Sequence, residues 1–156
     1  MANEQNKIEL QVVTPERHVL SEDVESVEMP GKDGYLGILP GHAPLLTEMG
    51  IGILTYRKGS ESRSLTVMGG YAEVLPHRVI VLADASERTE EIDGSRAQAA
   101  LDRAKAHLPG ANATEADWDA ANAAIKRATV RLEAATKGGS GATAPAASRE
   151  MEHANA

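Results

Sequence analysis

Apolar residues alternate with polar ones in short runs over the first half of the chain. The clearest runs are Ile8, Leu10 and Val12; Val27 and Met29; Ile51 and Ile53; Leu65 and Val67. A spacing of two puts side chains on one face of a strand, so these runs predict half-buried strands. The continuous run Val79 to Leu82 predicts a strand buried on both faces. Turn signals such as Thr14-Pro15 separate the runs, and residues 1–85 are therefore predicted to form a small antiparallel β-sandwich.

After Asp84 the composition changes to long stretches of Ala, Glu, Arg and Lys. Asp93 is predicted to cap a helix that runs to about Leu108, and the sequence Pro109-Gly110-Ala111-Asn112 breaks it. Thr114 with Asp117 approximates a capping box for a second helix that ends near Lys137, at two glycines. Residues 86–137 are therefore predicted to form an antiparallel helical hairpin.

The apolar spacing on the two helices predicts one shared seam. Its members are Ala97, Ala100, Leu101, Ala104 and Leu108 on the first helix, and Trp118, Ala121, Ile125, Ala128 and Leu132 on the second. Burial contributes about 0.8 kcal/mol for each methylene, so an alanine seam contributes little. We therefore expect the closed hairpin to be marginally stable and able to open.

Residues 138–156 contain mainly Gly, Ser, Ala, Thr and Pro with scattered charges. Such a segment cannot bury enough apolar surface to offset the entropy of ordering, which predicts a disordered tail. The predicted fold class is α+β: an N-terminal antiparallel β-sandwich, a C-terminal two-helix hairpin and this tail.

Composition narrows the possible functions of the 156-residue chain. It has no cysteine, which excludes disulfides, thiolate zinc sites and cysteine nucleophiles. Its net charge of −7 disfavours a nucleic-acid partner, because phosphate binding needs a basic patch. The first seven residues lack the apolar core of a signal peptide, and no segment approaches about 18 uninterrupted apolar residues. We expect a soluble chain without direct membrane insertion.

The five histidines offer little for catalysis. His18, His42, His77, His107 and His153 have none of the spacings of a metal site, and no motif sets a serine nucleophile beside one. We therefore expect no catalytic residues and no metal site. The remaining enzymatic alternative is a hydrolase that uses His18 with Glu16 or His42.

The segment from Met29 to Thr47 holds three prolines and four glycines around a short apolar core. These residues fix the backbone geometry, which favours a rigid binding surface over an active site. A plain tight connection between strands is the alternative. For His42, the alternative is a turn residue that makes a local hydrogen bond.

This segment resembles a known family. The run Gly34-x-x-Gly37-Ile38-Leu39-Pro40-Gly41-His42-Ala43-Pro44-Leu45-Leu46-Thr47 is similar to the signature loop of the epsilon subunit of bacterial-type rotary ATP synthases. The block Val67-Met68-Gly69-Gly70-Tyr71-Ala72-Glu73-Val74, followed by Val79 to Asp84, resembles the same family. The resemblance extends over roughly residues 7 to 136 and implies the same β-sandwich with a helical tail.

The resemblance implies a place in the rotor, peripheral to the cytoplasmic face of the bacterial plasma membrane. The sandwich would link the gamma subunit to the c-ring of a proton-translocating enzyme. The implied contact residues are Thr14, Tyr35, Gly41, His42, Ala43 and Pro44. The hairpin would restrain ATP hydrolysis by extending along gamma to the alpha and beta subunits. There Lys126, Arg127 and Arg131 would meet acidic loops of beta.

A second pattern implied by the family concerns ATP. The run Ile92-Asp93-Gly94-Ser95-Arg96-Ala97 fits the pattern Ile/Leu-Asp-x-x-Arg-Ala that is associated with ATP binding in bacterial epsilon subunits. The implied adenosine side is Glu87, Ile92, Asp93 and Ala97, and the phosphate side is Arg96, Arg103, Arg127 and Arg131. Guanidinium groups suit phosphates because they bind them in a bidentate manner. Asp93 as an ordinary helix cap is the alternative reading.

Without a Walker motif, bound ATP would be sensed and not hydrolysed. ATP would thus be a regulatory ligand, and no cofactor is required. The expected protein is a non-catalytic subunit that couples gamma to the c-ring and regulates hydrolysis through its hairpin. A free-standing nucleotide-sensing adaptor outside any rotor is the alternative.

Overall fold

A computed structural model describes residues 6–139, which form seven strands and two helices. The strands are β1 (Ile8–Val13), β2 (His18–Val24), β3 (Ser26–Gly31), β4 (Gly34–Ile38), β5 (Leu45–Lys58), β6 (Glu61–Leu75) and β7 (Arg78–Ala83). A 3₁₀ turn, Thr89–Glu91, precedes helices α1 (Gly94–Ala106) and α2 (Glu115–Gly139). The predicted disordered tail lies, from residue 140 onward, outside the described residues.

The strands form one sheet in the order β2-β1-β7-β6-β5-β3-β4. Every neighbouring pair is antiparallel except β1 and β7, which run parallel. The predicted fold class is confirmed. The period-two pattern did not indicate β2 and β4, because each buries few strongly apolar residues on one face.

Two long strands bend the sheet into two layers. In β6 the inward side chains are Leu65 and Val67 before the bend, and Ala72 and Val74 after it, so the inward position changes from odd to even. Gly69 and Gly70 lie between them with φ of +83° and +111°. A side chain at Gly70 would overlap the Leu82 carbonyl on β7. Only glycine therefore fits this joint.

The main core lies between the two layers. Its members come from all seven strands, among them Ile8, Leu10, Met29, Ile38, Leu54, Leu65 and Val79. The prediction that Val79 to Leu82 is buried on both faces is wrong, because Leu82 is 56% exposed. Strand β7 instead alternates, with Val79, Val81 and Ala83 inside the core.

Both helices begin where the capping pattern predicts. A carboxylate oxygen of Asp93 accepts from the Arg96 amide at 3.1 Å. At the second helix Asp117 accepts from the Thr114 amide at 2.8 Å, and the Thr114 hydroxyl accepts from the Asp117 amide at 3.3 Å. Helix α1 ends two residues before Leu108, whereas α2 continues through Gly139, beyond its predicted end at Lys137.

The predicted seam holds at the end of the hairpin that lies away from the connection between the helices. Ala97, Leu101 and Ala128 are buried, but Leu108 is 50% and Trp118 41% exposed. Leu108 lies within the connection at residues 107–114, and Trp118 lies in the first turn of α2 after it. Their assignment to the seam is wrong.

The hairpin docks on the sandwich through α2. Val130 and Ala134 pack against Ile53 of β5 and Met68 of β6, on the face turned away from the main core. Ile92, just before α1, packs against the same cluster. This docking sets the first turn of α1 beside the carboxyl half of α2.

Candidate functional site

Residues 85–88 connect the two parts of the chain and are fixed to β6. The Met68 amide donates to the Ala85 carbonyl and the Thr66 amide to the Glu87 carbonyl, both at 2.9 Å. The buried Ser86 hydroxyl donates to the Thr66 carbonyl at 2.6 Å. The backbone at Glu87 is therefore as firmly held as a strand of the sheet.

A cleft of about 310 Å³ opens between this connector, α1 and α2. It is lined by Glu87, Glu91, Ile92, Asp93, Arg96, Ala97, Ala100, Arg103 and Arg131. Seven of the eight residues expected for ATP line it, so the closed hairpin gathers residues that are up to 44 positions apart. Arg127 lies one helical turn before Arg131 and does not line the cleft.

Sequence reasoning missed two lining residues, Glu91 and Ala100. Glu91 directly precedes Ile92, and Ala100 follows Ala97 by three positions on the same face of α1. Helical periodicity alone could have identified Ala100. Glu91 gave no such signal, because its position depends on the 3₁₀ turn.

Each carboxylate of the cleft already has a protein partner. Glu87 accepts from Arg131 Nε at 2.5 Å, and Glu91 accepts from Arg17 of the β1–β2 turn at 2.5 Å. The hydrogen bond from Arg17 lowers the pKa of Glu91. Hydrogen bonds from the Ser95 hydroxyl and the Arg96 amide lower the pKa of Asp93. The lowered pKa values keep Glu91 and Asp93 ionised at neutral pH, beside the three guanidinium groups of the cleft.

A larger cleft, of about 680 Å³, lies where the end of α2 meets the tip of the β5–β6 hairpin. None of the predicted site residues lines it. Its charged side chains include Glu22 and Arg63, which pair with Lys58 and Glu61. The smaller cleft carries three of the four arginines expected for ATP.

The loop of residues 39–44 is held against the turn before β7. The Gly41 amide donates to the Pro76 carbonyl at 2.6 Å, and Gly41 has φ of +85°. The His42 amide donates to the Leu39 carbonyl at 3.1 Å. His42 Nδ1 lies 2.7 Å from the Ala43 carbonyl, the local hydrogen bond that the alternative interpretation expected. Ala43 and Pro44 are exposed beside it.

The other expected rotor contacts lie elsewhere on the sandwich. Thr14 closes the β1–β2 turn, where its hydroxyl accepts from the Arg17 amide at 3.2 Å. The end of β1 at Thr14 is opposite the end that neighbours Pro76 and the 39–44 loop, because the Glu9 amide bonds to His77. Tyr35 follows the β3–β4 turn, 57% exposed, with its hydroxyl 3.2 Å from the Ile53 amide. The six residues therefore do not form one compact patch.

The sandwich has an exposed apolar face that the sequence analysis did not predict. Tyr71 on β6 is paired directly with Leu82 on β7, and they are 58% and 56% exposed. Leu46 on β5, two positions along from Tyr71's partner Glu48, is 74% exposed. We call Leu46, Tyr71 and Leu82 the outer apolar face. The alternation in β7 that was overlooked would have revealed Leu82.

No helix among residues 6–139 is long and apolar enough to cross a membrane. Within the same residues, no group of three or more His, Cys, Asp or Glu side chains has the arrangement needed to hold a metal ion.

Comparison with known proteins identifies the family. Residues 7–89 match the model of the β-sandwich domain of the ATP synthase delta/epsilon chain, and residues 90–136 match the model of its long α-helix domain. The ATP synthase epsilon chain of Solibacter usitatus is 50% identical over 130 residues, which are 83% of this chain and 96% of that one. The chain belongs to the family of ATP synthase epsilon chains.

Other relatives agree over similar lengths. ATP synthase epsilon chain 2 of Syntrophotalea carbinolica is 44% identical over 135 residues, covering 86% of this chain and 98% of the relative. Among solved structures, a chain in the Euglena gracilis mitochondrial ATP synthase (OSCP/F1/c-ring) superposes with a TM-score of 0.71 at 25% identity, covering 84% of this chain and 82% of that one. A chain from the Tetrahymena thermophila mitochondrial ATP synthase central stalk and c-ring, 19% identical with a TM-score of 0.56, shares the fold.

Proposed function

We propose that this chain works as a non-catalytic subunit of a bacterial proton-translocating ATP synthase, at the cytoplasmic face of the membrane. Its sandwich links gamma to the c-ring, and its hairpin regulates ATP hydrolysis. The observation that carries the proposal is the match of both domain models to one continuous stretch, residues 7–136. The relatives in solved assemblies come from structures described as containing the c-ring, which supports the same partners here.

The outer apolar face and the 39–44 loop supply the surface for docking on gamma. Three large apolar side chains that are more than half exposed on one sheet face are typical of a partner surface. The loop adds little entropy cost on docking, because its backbone bonds already fix it. The β3–β4 turn with Tyr35 is the part proposed to approach the c-ring.

The hairpin acts as a brake on hydrolysis. To do so it detaches from the sandwich within the assembled enzyme. Its docking cluster on the sandwich is small, with only Val130 and Ala134 of α2 buried in it. Two such side chains contribute a few kcal/mol at most, which a competing partner can offset. In the extended state, exposed Lys126 with Arg127 and Arg131 would face the acidic loops of beta and so slow hydrolysis.

ATP selects the closed hairpin by binding in the 310 Å³ cleft. The cleft is at the small end of the size range of ligand pockets, and its arginines come from both helices. A ligand that needs both helices binds only the closed state and stabilises it by RT ln(1 + [L]/Kd), about 2.7 kcal/mol at 100 times Kd. ATP therefore holds the brake off when it is plentiful.

A pull-down of the tagged chain from native membranes tests the assignment. We expect alpha, beta, gamma and the c-ring to copurify with it. Recovery of the chain alone would contradict the rotor assignment and would support a free-standing nucleotide-sensing adaptor instead.

A further inference from the structure

One ion pair joins α2 to the connector: Arg131 Nε donates to Glu87 Oε2 at 2.5 Å. The two side chains are 30% and 34% exposed, so solvent screens the pair less than it screens a fully exposed one. The partners come from different parts of the molecule. Glu87 belongs mechanically to the sandwich, and Arg131 moves with the hairpin.

The anchor on the sandwich side is rigid. The Glu87 amide donates to the Thr66 hydroxyl at 3.1 Å, and the Glu87 carbonyl accepts from the Thr66 amide at 2.9 Å. The neighbouring Arg88 side chain donates twice to the Val19 carbonyl on β2. The Glu87 backbone is therefore held by the sandwich through bonds that do not involve α2.

The apolar part of the contact between α2 and the sandwich gives little directional control. Val130 and Ala134 pack on Ile53 and Met68, and such apolar contacts are non-directional. Arg131 lies between those two docking residues in the same turn of α2. A hydrogen-bonded ion pair at this point fixes how far α2 is rotated and shifted when it docks.

We propose that Glu87 and Arg131 form a latch that docks the hairpin on the sandwich in the absence of nucleotide. The latch goes beyond ATP sensing, since it works in the empty protein; it rests on the proposed function only in that the hairpin leaves the sandwich in the working enzyme. Opening must break the pair, which sets free an arginine that faces beta in the extended hairpin. The brake and the latch thus use the same side chain.

The test is hydrogen exchange of the isolated full chain without ATP, read at the amides of residues 128–138. We expect Glu87→Gln and Arg131→Gln each to lower protection of these amides severalfold. The exchanged pair Glu87→Arg with Arg131→Glu should restore much of it. Raising salt should lower the protection of the wild-type chain toward that of the variants. The matched control is Arg17→Gln, which breaks the neighbouring ion pair to Glu91 without touching α2.

Wild-type protection in Glu87→Gln and Arg131→Gln would overturn the latch. An equal loss in Arg17→Gln would also overturn it, because that loss would reflect a loosened connector. Adding ATP separates this proposal from nucleotide sensing. ATP could add no protection to the wild-type chain while Glu87→Gln and Arg131→Gln still lower the protection of the chain without ATP. That result would contradict nucleotide sensing and would support the latch.

Discussion

The Tyr35 hydroxyl lies 3.2 Å from the Ile53 amide and accepts its hydrogen. The register of β3 and β5 explains why the amide needs this acceptor. Glu28 pairs with Thr55, but the ladder is then interrupted until Gly31 meets Met49, so Ile53 lies beside a gap. Tyr35 on β4 is paired with Pro30 on β3, and its hydroxyl accepts the hydrogen bond of the Ile53 amide at this gap. Ile53 also packs against α2, so this bond supports the docking face of the hairpin.

Replacing Tyr35 by Phe should destabilise the sandwich by about 1 kcal/mol, because the Ile53 amide loses its partner while the ring is kept. Urea unfolding monitored by circular dichroism measures this change. Tyr71→Phe is the control, since Tyr71 is equally exposed and no bond to its hydroxyl is seen within residues 6–139. Equal stability of wild type and Tyr35→Phe would mean that water accepts the hydrogen bond of the Ile53 amide as effectively as the Tyr35 hydroxyl does.

Acid should unfold the hairpin through its two capping aspartates. Side-chain and backbone hydrogen bonds lower the pKa of Asp93 and of Asp117 in the folded chain. Each cap therefore contributes fully above the unfolded aspartate pKa of about 3.9, and its contribution is lost as pH falls through the lower folded pKa. Circular dichroism at 222 nm between pH 6 and 2 should show the loss of helix.

The matched variants for that titration are Asp93→Asn and Asp117→Asn, because asparagine caps a helix without titrating. Their helical signal should depend less on pH than that of the wild-type chain. If the variants follow the wild-type curve, other carboxylates, such as that of Glu91, control the acid transition.

ATP binding should depend on Arg96 and Arg103, which line the cleft. A lost charged hydrogen bond costs about 1.5–3 kcal/mol, so Arg96→Gln and Arg103→Gln should each weaken binding roughly 10- to 100-fold. Arg127→Gln should weaken it less, because Arg127 does not line the cleft. Calorimetric titration measures all three variants. Absence of heat and of a thermal shift in the wild-type chain at millimolar ATP would reduce Asp93 to a helix cap.

Docking on gamma should depend on the outer apolar face. Leu82→Asp sets a charge on that face, directly beside Tyr71, and the sandwich should still fold because Leu82 is 56% exposed. We expect copurification with gamma to fall at least tenfold. Ser21→Asp, exposed on the edge strand β2, is the control and should be retained. If both variants lose copurification with gamma, or if neither does, the outer apolar face is not part of the interface.

The fold was predictable wherever local chemistry decides the structure. Both helix starts could be predicted from Asp93, Thr114 and Asp117, because capping depends on residues three apart. Leu82 and Trp118 were misplaced for one reason: whether an apolar side chain is covered depends on a neighbour that is remote in the chain. The parallel pairing of β1 with β7 depends on topology in the same way.

The cleft was predictable in its members but not in its bonding. Helical spacing and family resemblance named seven of its lining residues. The pairing of Glu87 with Arg131 could not be read from the sequence, since it requires the docking angle of α2 on β5 and β6. Arg127 was included because it shares a helix face with Arg131, and the structure turns only one of them into the cleft.

The regulatory role of the hairpin is tested most directly by deleting it in the assembled enzyme. The chain should be cut after Glu91, because residues 85–88 bond to β6 and Glu91 pairs with Arg17. ATP hydrolysis is then compared between complexes with full-length and truncated chains, at low and high ATP, after equal recovery of gamma and the c-ring is verified. We expect hydrolysis by the truncated complex to rise severalfold at low ATP and to lose its dependence on preincubation with nucleotide. Identical hydrolysis by the two complexes at every ATP concentration would contradict the account.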